Sequence, residues 1–274
     1  MSFSVLMSVY IKDDPSHFKI SLDSIINQSL SPDEIVIVLD GAVSELIIKE
    51  IKLQQSFGIN ILVVKLNQNI GLGPALKIGL ENCTNEIIAR MDADDISIYN
   101  RFEIQYNMLI NNFNLAVVGS IMNEFLFEPN DLNHYRSLPY DYKSVLKYSK
   151  YRSPLNHPTV MFRKSILLKV GSYENVPNFE DYFLWLKILK QGFYIENYNK
   201  PLLYFRMNKN FVLRRSGFIY LLDEVNFYFK VYDRKLLSFF TIIICIITKI
   251  PIRIMPKFIT NIVYLNLLRS KTKT

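Results

Sequence analysis

Residues 87–95 have the sequence IIARMDADD, and this stretch decides the fold. A short apolar run that ends abruptly in three carboxylates is typical of a buried strand whose end reaches the edge of a sheet. Side chains alternate along an extended chain, so Asp92 and Asp94 face the same way, with Cα atoms roughly 7 Å apart. Two hard oxygen ligands on one face suit a divalent cation that also binds phosphate. The structural alternative is that Asp94 or Asp95 caps a helix beginning near Tyr99.

Strand and helix patterns alternate around this stretch. Apolar runs of strand length occupy residues 4–10, 34–39, 60–65 and 86–91, and segments of helical period follow at 15–27, 44–57, 73–82 and 99–111. This alternation predicts an α/β fold with a parallel sheet flanked by helices. Right-handed crossovers place the carboxyl ends of parallel strands at one edge, where open α/β sheets bind ligands. We therefore expect Tyr10, Asp40 and Asp92 at that edge.

The pattern changes after Ala116. A less regular strand is predicted over residues 117–127, a short strand over 158–163, and a helix over 180–191 with Leu184, Trp185 and Ile188 on one stripe. Neither repeats nor a low-complexity linker interrupt the chain. We predict one domain over residues 1–210, with halves that meet at about residue 115, and a C-terminal helical tail over residues 211–274.

Composition excludes some classes of protein. The chain has 274 residues, of which 50% are hydrophobic, so disorder is not expected. Residues 1–10 resemble a strand and lack the features of a secretory signal, and Cys83 and Cys245 are expected to be reduced thiols. The net charge of +7 belongs to the end of the chain, because residues 234–274 contain eight Lys or Arg and no acidic residue. That distribution does not predict a nucleic-acid partner.

The tail combines this basic charge with apolar residues. Residues 236–248 are thirteen uncharged residues, fewer than the ~20 that a spanning helix needs. Basic, aromatic segments of this length suit a membrane interface with anionic lipids. The alternative is a helix pair that packs on the domain and leaves its lysines in solvent.

Five segments together resemble the family-2 glycosyltransferases, over residues 3–205. They are Ser8–Tyr10, Leu39–Gly41, Asn69–Leu80, Asp92–Asp95 and Phe179–Trp185. The resemblance implies a Rossmann-like, mostly parallel sheet of the A-type glycosyltransferase fold. It also implies a nucleotide-sugar donor, a nucleotide-binding half over about residues 1–115 and an acceptor half over about 116–210.

On the donor side, the resemblance assigns the strand-end loops to the nucleoside and the start of the third helix to the diphosphate. Free N–H groups at a helix start can face phosphate, and a proline is favoured there. The residues assigned are Ser8, Tyr10, Asp40, Asn69, Gly71 and Pro74. Local alternatives are an Asp-Gly turn at Asp40 and ordinary helix initiation at Pro74.

On the reacting side, the resemblance assigns Asp92 and Asp94 to Mn²⁺ or Mg²⁺. It assigns Asp181 as the general base that deprotonates the acceptor hydroxyl, with Glu180 as the alternate base, and a single displacement inverts the anomeric carbon. Either acid could also simply stabilise a helix start through its dipole. Arg90 and Arg101 are candidates for balancing the acidic charge.

Residues 3–10 and 32–41 are similar, more narrowly, to bacterial O-antigen and exopolysaccharide transferases. That likeness implies metal-dependent transfer of one hexose, galactose in β-1,3 linkage, from a UDP-sugar to a sugar on undecaprenyl diphosphate. It further implies a cytoplasmic enzyme bound peripherally to the inner face of the bacterial inner membrane. The Gln-x-x-Arg-Trp motif of processive members is absent, because the only tryptophan is Trp185, preceded by Leu184.

Alternative functions remain open on the sequence. One is transfer of glucose, another hexose or an N-acetylhexosamine in the same pathway. A phosphohydrolase would place its Asp-x-Asp pair on the first strand, whereas Asp92 ends the fourth. A non-catalytic membrane-associated binding protein would not need both acidic motifs. A dinucleotide oxidoreductase is disfavoured, because no glycine fingerprint follows the first strand.

Overall fold

The structure is a computed structural model that describes residues 2–132, 134–207, 217–254 and 270–271. The strands are β1 Ser4–Val9, β2 Glu34–Leu39, β3 Ile61–Lys65, β4 Ile87–Met91, β5 Ile96–Ser97, β6 Leu115–Phe125, β7 His134–Arg136, β8 Met161–Arg163, β9 Tyr194–Arg206 and β10 Ser270–Lys271. The helices are α1 Pro15–Ile26, α2 Glu45–Ser56, α3 Leu72–Asn82, α4 Arg101–Asn111, α5 Tyr142–Tyr148, α6 Lys164–Lys169, α7 Glu180–Lys190, α8 Phe218–Asp233 and α9 Phe239–Ile254.

The first four strands form the predicted parallel block. Its order is β3-β2-β1-β4, with β1 between β2 and β4. Val9 is opposite Leu39 and Met7 is opposite Met91, so the carboxyl ends of β1, β2 and β4 share one edge, as predicted. The residues that follow these strands, among them Asp40 and Asp92, are therefore brought together by the topology.

The second half makes the sheet mixed, which corrects the expectation of a mostly parallel sheet. Strand β8 lies antiparallel between β4 and β6, and β7 is antiparallel to β6. Strand β9 runs parallel to β6, and its end pairs with the short strand β5. The segment 158–163, predicted as a strand, is a 3₁₀ turn at His157–Thr159 followed by β8. Pro158 accounts for the difference because it has no N–H to donate to a ladder.

Two apolar clusters cover the two faces of the sheet. Phe18, Leu22 and Phe102 pack with one face, on the side of α1, α2 and α4. Leu76, Leu80 and Trp185 pack with the other face, on the side of α3 and α7. The predicted stripe of α7 is confirmed, because Leu184, Trp185 and Ile188 are all fully buried. Burial of each large apolar side chain contributes roughly 1.5–3 kcal/mol.

Helices α8 and α9 form a hairpin that packs on α7 through a third apolar cluster. Phe179 and Phe183 from the α7 region meet Phe227 of α8 and Ile242 of α9. Cys245 of α9 is also buried there, and both Cys83 and Cys245 are free thiols. Within the described ranges, no helix combines the length and the apolar character needed to cross a bilayer.

Two basic residues of α9 are paired with an acid of α8. Glu224, which is only 3% exposed, forms ion pairs with Arg253 Nε at 2.7 Å and with Lys249 Nζ at 3.2 Å. The helix pair packs on the domain, as in the alternative expectation, and these two cations are held by Glu224; contact of the tail with a membrane stays a prediction. Three other basic residues of the tail, Lys257, Arg269 and Lys273, lie outside the described residues.

Candidate active site

Asp40 holds the start of α3 against the end of β2. Its carboxylate accepts hydrogen bonds from Ile70 N at 2.7 Å, Asn69 Nδ2 at 2.9 Å and Gly71 N at 3.1 Å. Asp40 is 3% exposed, and Gly41 turns the chain at a φ of 84°. The structure thus brings three predicted donor-side residues together. It also shows the Asp-Gly turn, so the turn and a binding role for Asp40 do not exclude each other.

The first turn of α3 is uncapped. Helix α3 begins at Leu72 after Gly71, whose φ is 91°, and no side chain caps it. The first N–H groups of a helix have no intrahelical acceptor, so an uncapped start can hold an anion. Pro74 lies in this first turn, as predicted. Ser8 and Tyr10, both partly exposed, stand at the end of β1 on the neighbouring part of the edge.

The first acid of the motif after β4 is ion-paired. Asp92 Oδ1 accepts a hydrogen bond from Arg90 Nη2, and the two side chains share one face of the chain. Ser21 Oγ donates to the Asp92 carbonyl at 2.8 Å, which fixes the backbone. The Asp92 side chain remains 29% exposed, so the pair leaves it accessible from the edge of the sheet.

The other two acids of the motif differ from each other. Asp95 is fully buried and accepts a hydrogen bond from Arg206 N at 2.9 Å. Asp94 is partly exposed, and Arg206 Nε donates to its carbonyl oxygen at 3.0 Å. Neither acid caps α4, whose N-cap is Asn100 with no side-chain hydrogen bond. The structural alternative of a helix cap is therefore wrong, and only Asp95 has a buried, local role.

Carboxylates crowd this edge. Burial and the charge of Asp92 raise the pKa of Asp94 to about 6. Burial, with smaller contributions from Asp94 and Asp92, raises the pKa of Asp13 to about 7. Asp13 was not among the predicted site residues, although an acid three residues after Tyr10 lies close to the same edge. Like charges held together in this way favour the binding of a cation.

The donor set fits a divalent cation that is only partly held by protein. In the described part of the chain, no group of three His, Cys, Asp or Glu side chains could by itself hold a metal. Carboxylate oxygens such as those of Asp92 and Asp94 are the hard ligands that Mg²⁺ and Mn²⁺ take. Mg²⁺ is commonly held by one or two carboxylates, with substrate phosphates and water completing the shell. The residues present therefore suit a cation that arrives with a diphosphate.

The second acidic motif opens α7, next to the start of α3. A Cβ built on Gly73 would lie 3.2 Å from Glu180 Cβ and 2.8 Å from the carbonyl oxygen of Glu174. Only glycine allows this approach. Asp181 Oδ2 accepts a hydrogen bond from Ser153 Oγ at 3.3 Å. Burial and the charge of Asp181 raise the pKa of Glu180 to about 7. The uncapped start of α3 and the candidate bases at the start of α7 are therefore neighbours.

Arg90 lies between the two acidic motifs. Its charge opposes the rise in the pKa of Glu180 and of Tyr173, and it is ion-paired with Asp92. His157, at the start of the 3₁₀ turn, is 9% exposed and contacts Tyr173 OH through Nε2 at 2.9 Å. Burial, and then the charge of Arg90, hold the pKa of His157 well below its usual value. His157 is thus a neutral buried residue behind the site.

Arg206 is a site residue for which the sequence offered no signal. It ends β9, where its guanidinium lies 4.5 Å from the centre of the Phe125 ring and its charge lowers the pKa of Asp94. Strand β9 was not predicted, so nothing placed Arg206 near the acidic motif.

Solved structures share the fold of this chain. Residues 1–349 of S. aureus TarS, in complex with UDP-GlcNAc, align with a TM-score of 0.60 over 84% of this chain and 66% of that chain. Sequence identity in that alignment is 16%, so the similarity concerns the fold.

The family follows from sequence comparison. The profile described as glycosyl transferase family 2 matches residues 4–221, and the chain belongs to that family. An Escherichia coli relative named UDP-Gal:alpha-D-GlcNAc-diphosphoundecaprenol beta-1,3-galactosyltransferase is 37% identical over 97% of this chain and 96% of its own length. The amylovoran biosynthesis glycosyltransferase AmsE of Erwinia amylovora is 33% identical over 96% of this chain and 97% of its own length.

Proposed function

We propose that this chain transfers a single galactose from UDP-galactose, in β-1,3 linkage, to a sugar on undecaprenyl diphosphate during O-antigen or exopolysaccharide synthesis. The observation that carries the proposal is the 37% sequence identity, over 97% of this chain, to the E. coli relative named UDP-Gal:alpha-D-GlcNAc-diphosphoundecaprenol beta-1,3-galactosyltransferase. The similarity extends through the acceptor half and the hairpin, and is not confined to the nucleotide-binding half. The amylovoran transferase, similar over the same length, also belongs to surface polysaccharide synthesis.

The donor fits the edge between β1, β2 and α3. Ser8 and Tyr10 flank the position of the nucleoside, while Asp40 holds residues 69–71 in place beside it. The free N–H groups at the start of α3 face the diphosphate. The Asp40 carboxylate already accepts three hydrogen bonds. A carboxylate has about four acceptor positions, so one remains for the imide N–H of a uracil ring.

Asp92 and Asp94 would hold Mn²⁺ or Mg²⁺ together with the donor diphosphate. A divalent cation at this point neutralises negative charge that develops on the departing UDP. The crowded carboxylates support this role: burial, together with neighbouring carboxylate charge, raises the pKa of Asp94 to about 6 and that of Asp13 to about 7, and a bound cation would relieve the repulsion between these acids.

Transfer proceeds as one displacement at the anomeric carbon. The acceptor hydroxyl oxygen forms the new bond while the bond to UDP breaks, and the hydroxyl proton passes to Asp181, with Glu180 as the alternate base. UDP leaves with the bonding electron pair. Attack opposite the leaving group inverts the anomeric configuration, so an α-linked donor gives a β-linked product. The position of α7 beside α3 supports this arrangement, because base and diphosphate then border one space.

The α8–α9 hairpin would bring the enzyme to its lipid-linked acceptor at the inner face of the inner membrane. Helices α8 and α9 expose large apolar side chains, which we call the hairpin face: Phe218, Ile219, Leu222, Phe229, Tyr232, Phe239, Phe240, Ile244 and Ile247. Exposed apolar side chains of this size suit a membrane interface. Lys249 and Arg253 are both paired with the single acid Glu224, so their charge is partly balanced within the protein.

A panel of radiolabelled nucleotide sugars tests the proposal. The full-length protein is incubated with each donor, Mn²⁺ and a synthetic GlcNAc-diphosphate lipid acceptor. We expect label in the lipid product from UDP-galactose only. Transfer from UDP-glucose or UDP-GlcNAc instead would keep the enzyme class and change the donor. Release of free sugar or phosphate without transfer would overturn the proposal in favour of a hydrolase.

A further inference from the structure

Two arginines are buried beside the acidic motif, and their contacts differ. Arg101 is fully buried and donates to the carbonyl of Arg90 at 2.7 Å and to Gln105 Oε1 at 3.0 Å. These contacts join α4 to β4, which is a structural task. Arg90 is 2% exposed and its one side-chain hydrogen bond within the described residues goes to Asp92. Its Nε and Nη1 atoms are buried without an acceptor there.

Stability alone does not account for Arg90. Removing a guanidinium from water costs several kcal/mol, and a buried ion pair often returns less than an apolar side chain of similar size would. Two buried donors without acceptors add to that cost. The partner, Asp92, is 29% exposed and would be solvated without the pair. The charge of Arg90 is therefore best explained by its effect on the Asp92 carboxylate, with which it pairs.

The ion pair orients the Asp92 carboxylate. Arg90 and Asp92 are separated by one residue and lie on the same face of β4 and its extension, so the guanidinium reaches only one oxygen, Oδ1. The other oxygen, Oδ2, has no hydrogen bond from Arg90 and belongs to a side chain that is 29% exposed. Carboxylates that bind metals are commonly held by such an outer hydrogen bond, and loss of the outer partner typically costs about 10–100-fold in metal affinity or activity.

We propose that Arg90 is a positioning residue, whose guanidinium fixes the Asp92 carboxylate in the orientation that receives the divalent cation of a bound nucleoside diphosphate. The inference rests on the proposed function, since it assumes that Asp92 meets a cation and a diphosphate. It separates the two arginines that the sequence alone treats alike. Arg90 acts on the site through Asp92, and Arg101 acts on the packing of α4.

Direct binding of Mn²⁺ tests this assignment without activity. The dissociation constant of Mn²⁺ is measured on the full chain with UDP present, from the electron paramagnetic resonance signal of free Mn²⁺. The variants are Arg90→Met, Arg90→Lys and the control Arg101→Lys. We expect Arg90→Met to raise the constant about 10–100-fold. Arg90→Lys should raise it less, because an ammonium keeps the charge without the planar donor geometry.

The control and the melting temperatures separate positioning from folding. Arg101→Lys should lower the melting temperature yet leave the Mn²⁺ constant within about twofold of the wild type. If Arg90→Met does not fold, Arg90→Lys decides, and a wild-type constant in that variant would overturn the assignment. Tighter Mn²⁺ binding in an Arg90 variant would also overturn the assignment, because it would mean that Arg90 competes with the cation for Asp92. If the wild type binds no Mn²⁺ with UDP, the proposed metal role falls, and the role of Arg90 falls with it.

Discussion

Gly73, in the first turn of α3, lies directly against Glu180, in the first turn of α7: a Cβ added to the glycine would come within 3.2 Å of Glu180 Cβ. The two residues are far apart in sequence and belong to the two halves of the chain. Their contact joins the helix start that would hold a diphosphate to the acids that would accept the proton. A donor and an acceptor can therefore react at one place.

The first prediction concerns this contact. Gly73→Ala places a methyl group 2.8 Å from the carbonyl oxygen of Glu174 and 3.2 Å from Glu180 Cβ, so the start of α3 must move away from α7 and from the segment that precedes it. We expect kcat to fall at least about tenfold, because displacement of reacting groups by about 1 Å is costly. The control is Gly58→Ala, where φ is 86° and no atom lies within 4 Å of the added carbon. It should cost roughly 1 kcal/mol of stability and leave kcat unchanged. Equal kcat in both variants would contradict the account.

The second prediction concerns the acids after β4. Asp92→Asn and Asp94→Asn keep the size of the side chains and remove the charge that binds a cation. We expect each to reduce transfer by about 10²-fold or more, and excess Mn²⁺ to restore part of it. Wild-type transfer in EDTA, after removal of bound metal, would rule out the metal role.

The third prediction separates the two candidate bases. Asp181→Asn should lower kcat by about 10²–10⁴-fold, the usual contribution of a general base, while UDP binding measured by calorimetry stays normal. Glu180→Gln should have the smaller effect on kcat. The reverse order would assign the base to Glu180, and near-normal rates in both variants would place the base elsewhere.

The fourth prediction concerns pH and stability at Glu180. The pKa of this carboxyl is about 7 in the folded protein, against 4.5 in an ordinary environment, so the folded state binds the proton more tightly. The stability that protonated Glu180 contributes is complete below about pH 4.5 and is lost as pH rises through about 7. Glu180→Gln should thus be more stable than wild type at pH 8, by about 1–2 kcal/mol after allowance for solvent screening, and similar at pH 5.

Urea unfolding at both pH values measures this difference. The matched variant is Glu103→Gln, an acid in the first turn of α4 whose only side-chain partner among the described residues is the exposed hydroxyl of Ser29. The stability of Glu103→Gln relative to wild type should not rise comparably between pH 5 and pH 8. A Glu180→Gln variant that is less stable than wild type at pH 8 would contradict the crowding of charge at the start of α7.

The fifth prediction concerns the hairpin face. Phe229 is 68% exposed and Phe240 is 77% exposed, so charged substitutions there need not disturb the core. The double variant Phe229→Glu, Phe240→Glu should lose about tenfold or more in sedimentation with vesicles of phosphatidylethanolamine and phosphatidylglycerol. The control is Phe113→Glu, which changes an 85% exposed phenylalanine after α4. Equal sedimentation of the double variant and wild type would mean that the hairpin face does not contact membrane.

Sequence predicted the parts of the fold that depend on regular periodicity. The four apolar runs before residue 92 became β1 to β4 in register, because buried parallel strands are apolar on both faces. The acids that follow them were therefore placed correctly at one edge. The buried stripe of Leu184, Trp185 and Ile188 on α7 was also predicted correctly. These features are local, and a pattern of period two or 3.6 carries them.

Strand β9 shows why other parts were missed. Its partners on β6 shift register on either side of Ile121, which is opposite Pro201, and Leu202 and Leu203 are both buried. An irregularity of this kind breaks the alternation on which strand prediction depends. Because β9 was missed, Arg206 was missed too. The separate roles of Arg90 and Arg101 were equally out of reach, since they depend on which atoms meet across the fold.

The stereochemistry of the product tests the central claim most directly. Proton NMR of the product formed from UDP-α-galactose by the full-length protein reports the vicinal coupling at the new anomeric centre. A single displacement with Asp181 or Glu180 as base predicts a β-linked galactose with a large coupling. A small coupling from an α-linked product would show retention and contradict the proposed arrangement of donor, base and acceptor.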